Sequence, residues 1–490
     1  MAGWPHHKTI QETRTILKQF MAAQEVLAVV HKEDQKVIGS LGTHPVPHTL
    51  PEPWQGAYAK EIGYALNKDY WGRGLMTEAV SALVGHLFRY TQATLLICCC
   101  GASNHQSRRV MEKAGFTFSR TFARRRELPS SEATLEFLLT EEAYKQMKQK
   151  RISYENDYNA GCHPVLLQAL TDTNQETTTG YGLDDHCRQA VQLIRSACRA
   201  PHAAVHFLVG GTQANLIVAA GALKPWQGIL SADTGHINVH EAGAIEATGH
   251  KVLALPSRDG RIDAETIDRF CRDYDEDPTA EHTVQPGMIY LSQPTELGTL
   301  YRKEELEAIR ALALRRGLTL YIDGARLASA LAAEELTGLD LAATAGRCDV
   351  FTIGGTKCGA LFGEALVINQ PSLDKDFRSL MKQRGGMLAK GRLLGVQFAA
   401  LFRNRLYWDI GRYQNERARE LADLFRARGL EFHAPPETNQ LFVLLDSDQE
   451  NFFAKRTVFE RISREEEGRK VCRFVTSYAT PGHHLEHLLA

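Results

Sequence analysis

Five short runs constrain the fold of this chain more than anything else in it: Val205-His-Phe-Leu-Val, Val252-Leu-Ala-Leu, Met288-Ile-Tyr-Leu, Leu318-Thr-Leu-Tyr-Ile and Val350-Phe-Thr-Ile. None shows the regular polar alternation of a strand with one wet face, so each reads as a strand buried on both sides. Helix-like segments such as Lys303 to Arg316 separate most of them, which makes the connections helical crossovers and the sheet mostly parallel. At 490 residues the chain is too long for one core, so two or three domains are expected. The pattern changes near residue 150, after the charged, helix-prone stretch Glu141 to Lys150. The expected division is residues 1–147, 152–395 and 396–490.

Three features fall at the carboxyl ends of these strands, where open α/β sheets bind ligands. Gly210-Gly-Thr-Gln-Ala-Asn precedes a helix, and its bare amides suit a phosphate. The same residues read equally well as a plain turn with Thr212 as the helix cap. Asp323-Gly-Ala-Arg follows the fourth run. Its acid either caps the next helix or holds a pyridine nitrogen protonated, with Arg326 placed as a donor pair for a substrate carboxylate or for the loop. Gly354-Gly-Thr-Lys follows the fifth run and presents Lys357 at a sharp strand end, where a neutral amine forms an imine. Phosphate loop, acid and lysine, in that order, are what a fold-type I pyridoxal 5′-phosphate enzyme needs.

From Tyr154 onward the chain resembles the threonine aldolase and aromatic amino-acid β-eliminating lyase group. Thr179-Gly-Tyr-Gly-Leu-Asp, Gly235-His-Ile-Asn-Val-His-Glu-Ala-Gly-Ala and Lys382-Gln-Arg-Gly-Gly-Met carry the likeness together with the three motifs above. Within the group it is most similar to low-specificity threonine aldolases. The resemblance implies the aspartate aminotransferase-like fold with a small C-terminal domain. It implies Lys357 as the Schiff-base lysine, Asp323 on the pyridine nitrogen, and Gly210, Gly211 and Thr212 on the phosphate. His236 would stack on the cofactor ring. Asn156, Arg326 and Arg473 would contact the substrate carboxylate, and His282 roughly aligns with a histidine that handles the β-hydroxyl proton, although a solvated loop histidine fits as well. Tyr181 would lie beside a neighbouring subunit's active site, so a homo-oligomer, dimer or tetramer, is implied. The implied reaction is cleavage of a β-hydroxy-α-amino acid, such as threonine, allo-threonine or phenylserine, to glycine and an aldehyde. Tryptophanase-like β-elimination from an aromatic amino acid is the alternative. Gly210 and Asn156 stand where serine is common in the group.

The first block offers Tyr70-Trp-Gly-Arg-Gly-Leu-Met-Thr-Glu-Ala between a strand and a helix, and Asn104-His-Gln-Ser-Arg-Arg-Val-Met-Glu-Lys-Ala-Gly-Phe some thirty residues later. Together they resemble GNAT acetyltransferases over roughly Val26 to Leu139. By that resemblance the amides of Arg73, Gly74 and Leu75 would hold the acetyl-CoA pyrophosphate and Asn104 the cofactor arm. Glu61 is either a general base or an exposed strand glutamate. The resemblance implies a first strand ahead of Gly3, which the sequence as it stands is not expected to supply. This block reads as an acetyltransferase carrying the principal activity, as an acetyl-CoA-binding regulator of the lyase, or as a remnant.

Composition bounds the partners. Hydrophobic residues at 43%, charged residues at 23% and a net charge of −1 fit a globular enzyme acting on small molecules, and offer nothing to nucleic acid or a membrane surface. No run approaches the roughly 20 apolar residues of a membrane span, and Met1 to Lys8 lack a signal-peptide core. Ten cysteines without a Cys-x-x-Cys pair imply neither zinc nor disulfides. Cys98, Cys99 and Cys100 read as part of a buried strand, and the compartment as the reducing cytoplasm.

Overall fold

The computed structural model describes residues 9–23, 25–46, 49–50, 52–122, 133–149, 151–466 and 468–482. Met1 to Lys8 and Lys150 therefore lie outside the described residues. The chain divides into two compact units, Met1–Arg151 and Ile152–Ala490. Among the described residues no helix is long and apolar enough to cross a membrane.

In the first unit, helix α1 (Ile10–Ala23) precedes strands β1 (Val26–His31), β2 (Lys36–Pro45) and β3 (Ala59–Leu66). Helix α2 (Leu75–Tyr90) leads to β4 (Leu95–Gly101), helix α3 (His105–Lys113) to β5 (Thr117–Phe122), and β6 (Thr134–Thr140) to α4 (Glu141–Gln149). The sheet order is β1-β2-β3-β4-β6-β5. β1 and β2 form an antiparallel hairpin. No strand precedes α1 among the described residues, which leaves β1 as an edge. Cys98 and Cys100 are buried on β4, as expected of a core strand.

The second unit opens with β7 (Ile152–Ser153), α5 (Pro164–Asp172) and α6 (Asp185–Ala197). Then come β8 (Ala204–Leu208), α7 (Gly211–Ala222), β9 (Gln227–Ala232), the short α8 (His236–Val239) and β10 (Val252–Leu255). β11 (Gln285–Ser292), β12 (Thr319–Asp323), β13 (Val350–Gly354) and β14 (Glu364–Ile368) complete a seven-stranded sheet ordered β10-β9-β11-β12-β13-β14-β8. Only β14 runs against the others. Successive residues point to opposite cores: Ile289, Leu291, Leu320, Ile322, Phe351 and Ile353 to one face, Met288, Tyr290, Tyr321 and Val350 to the other. Burial on both faces is why the runs do not alternate, and each large apolar side chain so buried contributes roughly 1.5–3 kcal/mol. The helix over Lys303–Arg316 forms as expected. Glu305 reaches back to the Arg302 N–H at 2.6 Å to cap its start, and Gly317 ends it with φ of 65°.

A smaller antiparallel layer follows: β15 (Glu431–Phe432), β16 (Gln440–Leu445), β18 (Glu460–Glu466) and β19 (Arg469–Val475), ordered β15-β16-β19-β18, with β17 (Thr457–Val458) pairing back to β7. Its core includes Tyr154, Leu421, Phe425, Leu441 and Phe474. The 22-residue helix Leu406–Ala427 spans both cores: Tyr407 and Ile410 pack into the large one, Leu421 and Phe425 into the small one.

Candidate active site

Parallel strands put their carboxyl ends on one edge, and there the chemistry-bearing residues of the second unit gather. β13 must pass the turn after β12 so closely that a Cβ on Gly354 would sit 2.1 Å from the Ala325 carbonyl oxygen, so only glycine fits. The chain then tightens through Thr356–Cys358, fixed by the Gly355 and Thr356 N–H groups donating to the Gly363 carbonyl at 3.0 and 3.2 Å. Lys357 is presented on this turn. Burial and the Arg326 charge hold its amine below the usual lysine range, against the pull of Asp157, Asp323 and Glu364. Glu364, opposite Gly354 in the β13–β14 ladder, is 4% exposed and its Oε2 has no hydrogen-bond partner. Burial and the Asp323 charge push its carboxyl up to about 8, although Lys357 opposes the rise.

Asp323 ends β12 and is buried. Its Oδ1 accepts from the Ala325 N–H at 2.9 Å and the Thr352 hydroxyl at 3.3 Å; its Oδ2 accepts from the Tyr290 hydroxyl at 2.7 Å and Asn215 Nδ2 at 3.1 Å. Asn215 Nδ2 also donates to Glu241 Oε1 at 2.7 Å, and Tyr321 donates to Asn215 Oδ1 at 2.6 Å. Glu241 in turn lies 2.7 Å from His236 Nδ1. A continuous polar chain thus joins His236, just after β9, to the Asp323 carboxylate. Sequence reasoning named the two ends and missed Asn215, Glu241, Tyr290 and Tyr321. The only signal for the tyrosines was a hydroxyl inside an apolar run.

Arg326 Nε and Nη2 donate to the buried carboxylate of Asp157 at 2.7 and 3.1 Å, and Asn439 Nδ2 adds a third donor at 2.9 Å. Burial alone would raise the Asp157 pKa, but Arg326, Lys357 and Asn439 hold it low. Arg473 on β19 pairs with Glu460 and donates to Gln440 at 3.4 Å, leaving its buried Nε unpartnered. Burial and the nearby Arg326 charge lower its pKa. Arg326 therefore stands near both Lys357 and Arg473. Asn156 Oδ1 is engaged in a local turn, accepting from the Tyr158 N–H at 3.1 Å. His240, which sequence reasoning gave no role, caps α8 with its ring centroid 5.6 Å from that of His236.

α7 starts at Gly210 with no side-chain cap, and a Cβ built on Gly210 or Gly211 meets nothing within 4 Å. Thr212 follows and is exposed. Tyr181 is also exposed, with φ of 59° and the Lys382 ammonium 4.8 Å over its ring.

His282 does not join the group. It lies in Ala280–His282, ahead of the amino end of β11, with its side chain 73% exposed and only Glu281 beside it at 3.8 Å. The strand runs away from it, so β11 separates it from the active edge by roughly 26 Å at 3.3 Å per residue. Within one copy of the chain His282 matches the other reading of it, a solvated loop histidine.

In the first unit, β3 and β4 pair in parallel only from Ala59 to Glu61 against Leu95 to Ile97 and then part. α2 starts at Gly74, whose φ is 79°, with Gly72 at 78° and open space beside both. Leu75 is its first residue. Arg73 Nη2 lies 3.3 Å from His31 Nε2. Asn104 caps α3, its Oδ1 accepting from the Ser107 N–H at 3.1 Å. Glu61 is half-buried opposite His44.

The family model for β-eliminating lyases matches residues 161–448, more than half of the chain. The chain belongs to the β-eliminating lyase family. A low specificity L-threonine aldolase of Pseudomonas aeruginosa is 30% identical over 60% of this chain and 84% of its own length. The solved Leishmania major threonine aldolase is 40% identical, covers 69% of this chain and 97% of its own, and superposes with a TM-score of 0.67. Aspartate aminotransferase from Thermus thermophilus, at 14% identity, covers 71% of this chain and 92% of its own with a TM-score of 0.51, which shows a shared fold. The acetyltransferase (GNAT) domain model matches residues 1–117.

The residues on the edge fit a pyridoxal 5′-phosphate cofactor. Gly210 and Gly211 leave an open, uncapped helix start for a phosphate, Asp323 is a buried acceptor for a ring N–H, and Lys357 is an amine already depressed toward its neutral form.

Proposed function

We propose that the second unit is a pyridoxal 5′-phosphate-dependent carbon–carbon lyase that cleaves β-hydroxy-α-amino acids of the threonine type to glycine and an aldehyde. The observation that carries this reading is a buried amine, Lys357, on the same sheet edge as a buried carboxylate, Asp323, which is fixed by four donors. The threonine aldolases among the relatives support the choice of substrate.

Gly210, Gly211 and Thr212 would hold the phosphate, Asp323 the pyridine nitrogen, Lys357 the aldehyde carbon, and His236 one face of the ring. Bound there, the cofactor supplies a sink for the electron pair released when a bond at Cα breaks. The rest falls to the chain. Arg326 and Arg473, with Asn156, would take the substrate carboxylate and fix which bond is labile. The donors around Asp323 prevent its carboxylate from turning. Glu241 holds the His236 ring by Nδ1. Tyr181, exposed on its loop, would face a second copy in a cytoplasmic homo-oligomer.

Protein supplied with the cofactor is expected to release glycine and acetaldehyde from L-threonine, and Lys357→Ala to release neither and to lose the visible absorbance of the bound cofactor. Wild type that keeps that absorbance yet eliminates from aromatic amino acids instead would replace this substrate class with the alternative.

A second reading belongs to the first unit. The parting of β3 from β4, and the open glycines before α2, favour acetyl-CoA, with its pyrophosphate on the amides of Arg73, Gly74 and Leu75 and its arm near Asn104. Calorimetry should show acetyl-CoA binding to wild type and none to Gly74→Trp. Acetylation of an amine acceptor by wild type would make this unit an N-acetyltransferase.

A further inference from the structure

Cleavage of a β-hydroxy amino acid requires a group that takes the hydroxyl proton, and the residues expected to surround the substrate leave that place empty. His282 lies ahead of the amino end of β11, Asp323 is assigned to the pyridine nitrogen, and His236 is assigned to the face of the cofactor ring. We propose that His240 is the catalytic base that accepts the β-hydroxyl proton. The inference rests on the reading of the second unit as a lyase of β-hydroxy-α-amino acids.

Position is the first argument. His240 follows His236 by one turn, its N–H donating to the His236 carbonyl at 2.9 Å, and the rings lie tilted at 51° with centroids 5.6 Å apart. The charged groups that face it are His236 on α8, Glu460 on β18, Arg473 on β19 and Lys357 on the turn after β13, with Glu241 next in the chain. Arg473 is assigned to the substrate's carboxylate, and Lys357 to the cofactor's aldehyde carbon, where the substrate's amino group would join. On this proposal, the hydroxyl-bearing Cβ of a molecule held there would lie toward the imidazole.

Availability is the second argument. The residue is exposed, and among the described residues neither ring nitrogen has a hydrogen-bond partner. Partial burial together with the positive charges of His236, Arg473 and Lys357 keeps the ring below the ordinary imidazole range, with Glu460 pulling the other way. At neutral pH the ring is therefore neutral and able to accept a proton.

In the step, a ring nitrogen of His240 takes the hydroxyl proton, and the O–H electron pair becomes the second bond of the aldehyde C=O. The Cα–Cβ bond breaks with its pair on the glycyl fragment. A proton then adds to Cα, and the imidazolium returns its own to solvent, so that glycine leaves with the atoms of the substrate conserved.

The test compares two reactions of the same holoenzyme. Cleavage of L-threonine needs the β-hydroxyl proton removed; exchange of the glycine α-proton with deuterated water does not. His240→Gln is expected to slow cleavage by about 100-fold, to flatten the acid limb of kcat, and to leave glycine exchange within roughly twofold. His240→Ala should regain cleavage when imidazole is added. In cofactor-free full-length protein, the NMR titration missing from His240→Gln should be centred below the ordinary imidazole value. Equal losses in cleavage and exchange, an unchanged acid limb, or a titration at or above the ordinary value would overturn the assignment of His240 alone. Wild type that exchanges glycine yet cleaves no β-hydroxy amino acid would overturn the assigned reaction and the base together.

Discussion

Glu364 stands opposite Gly354, three residues before the lysine, and holds its proton far above the pH at which a glutamate ordinarily loses it. Its folded pKa of about 8 exceeds the ordinary 4.5, so the folded chain binds this proton more tightly than the unfolded one. The stabilisation is complete below the ordinary value and is lost as pH rises through the folded value. Glutamine cannot ionise. In cofactor-free protein, Glu364→Gln should therefore raise Tm relative to wild type at about pH 8.5 by at least about 2 °C more than at about pH 5. A difference that stays flat with pH would show that the carboxyl ionises without cost. At this scale Lys357 and Asp323 stood out in the sequence because each closely follows an apolar run, at the carboxyl end of a strand. Glu241 and Asn215 did not: Asn215 meets its partners across 26 and 108 residues of sequence, a separation that no local pattern encodes. His282 carried two readings for a different reason. Nearness to a strand in sequence does not say which end of the strand carries the chemistry, and here the direction of β11 decides it.

Among the elements, α7 carries the plainest expectation. Gly210 has φ of −166°, extended backbone open to any residue, and nothing occupies the space where a Cβ would lie. Glycine at this position provides clearance for a ligand and no special turn. Gly210→Val should keep Tm within about 2 °C while weakening pyridoxal phosphate binding at least tenfold, about 1.4 kcal/mol, measured by titration of the cofactor-free protein. Unchanged binding would move the phosphate elsewhere. Most strands of the large sheet could be read in advance, since two buried faces leave uniform runs. β9 and β14 escaped notice. β14 returns directly from β13 by a turn of nine residues, without the helical crossover that set the rhythm of the others. β9 shares its short apolar stretch with Gly228, which lies so close to β10 that a Cβ would meet the Lys251 carbonyl oxygen at 2.6 Å.

For the molecule as a whole, separate cores in Met1–Arg151 and Ile152–Ala490 imply two cooperative transitions. In scanning calorimetry, pyridoxal phosphate should raise one transition and acetyl-CoA the other, each by several degrees at saturation. A single transition moved by both ligands would mean that the units melt as one body. Within the second unit, the helix Leu406–Ala427 works like a ruler laid between two jaws. Gln414, near its middle, donates to the Lys357 carbonyl at 3.0 Å, and its own carbonyl accepts from the Thr476 hydroxyl at 2.7 Å, one residue beyond the strand that bears Arg473. One side chain and its peptide thereby set the spacing between the turn of Lys357 and the strand of Arg473, and on the proposed reading an amino acid with a longer backbone between amino group and carboxylate should be a poorer substrate.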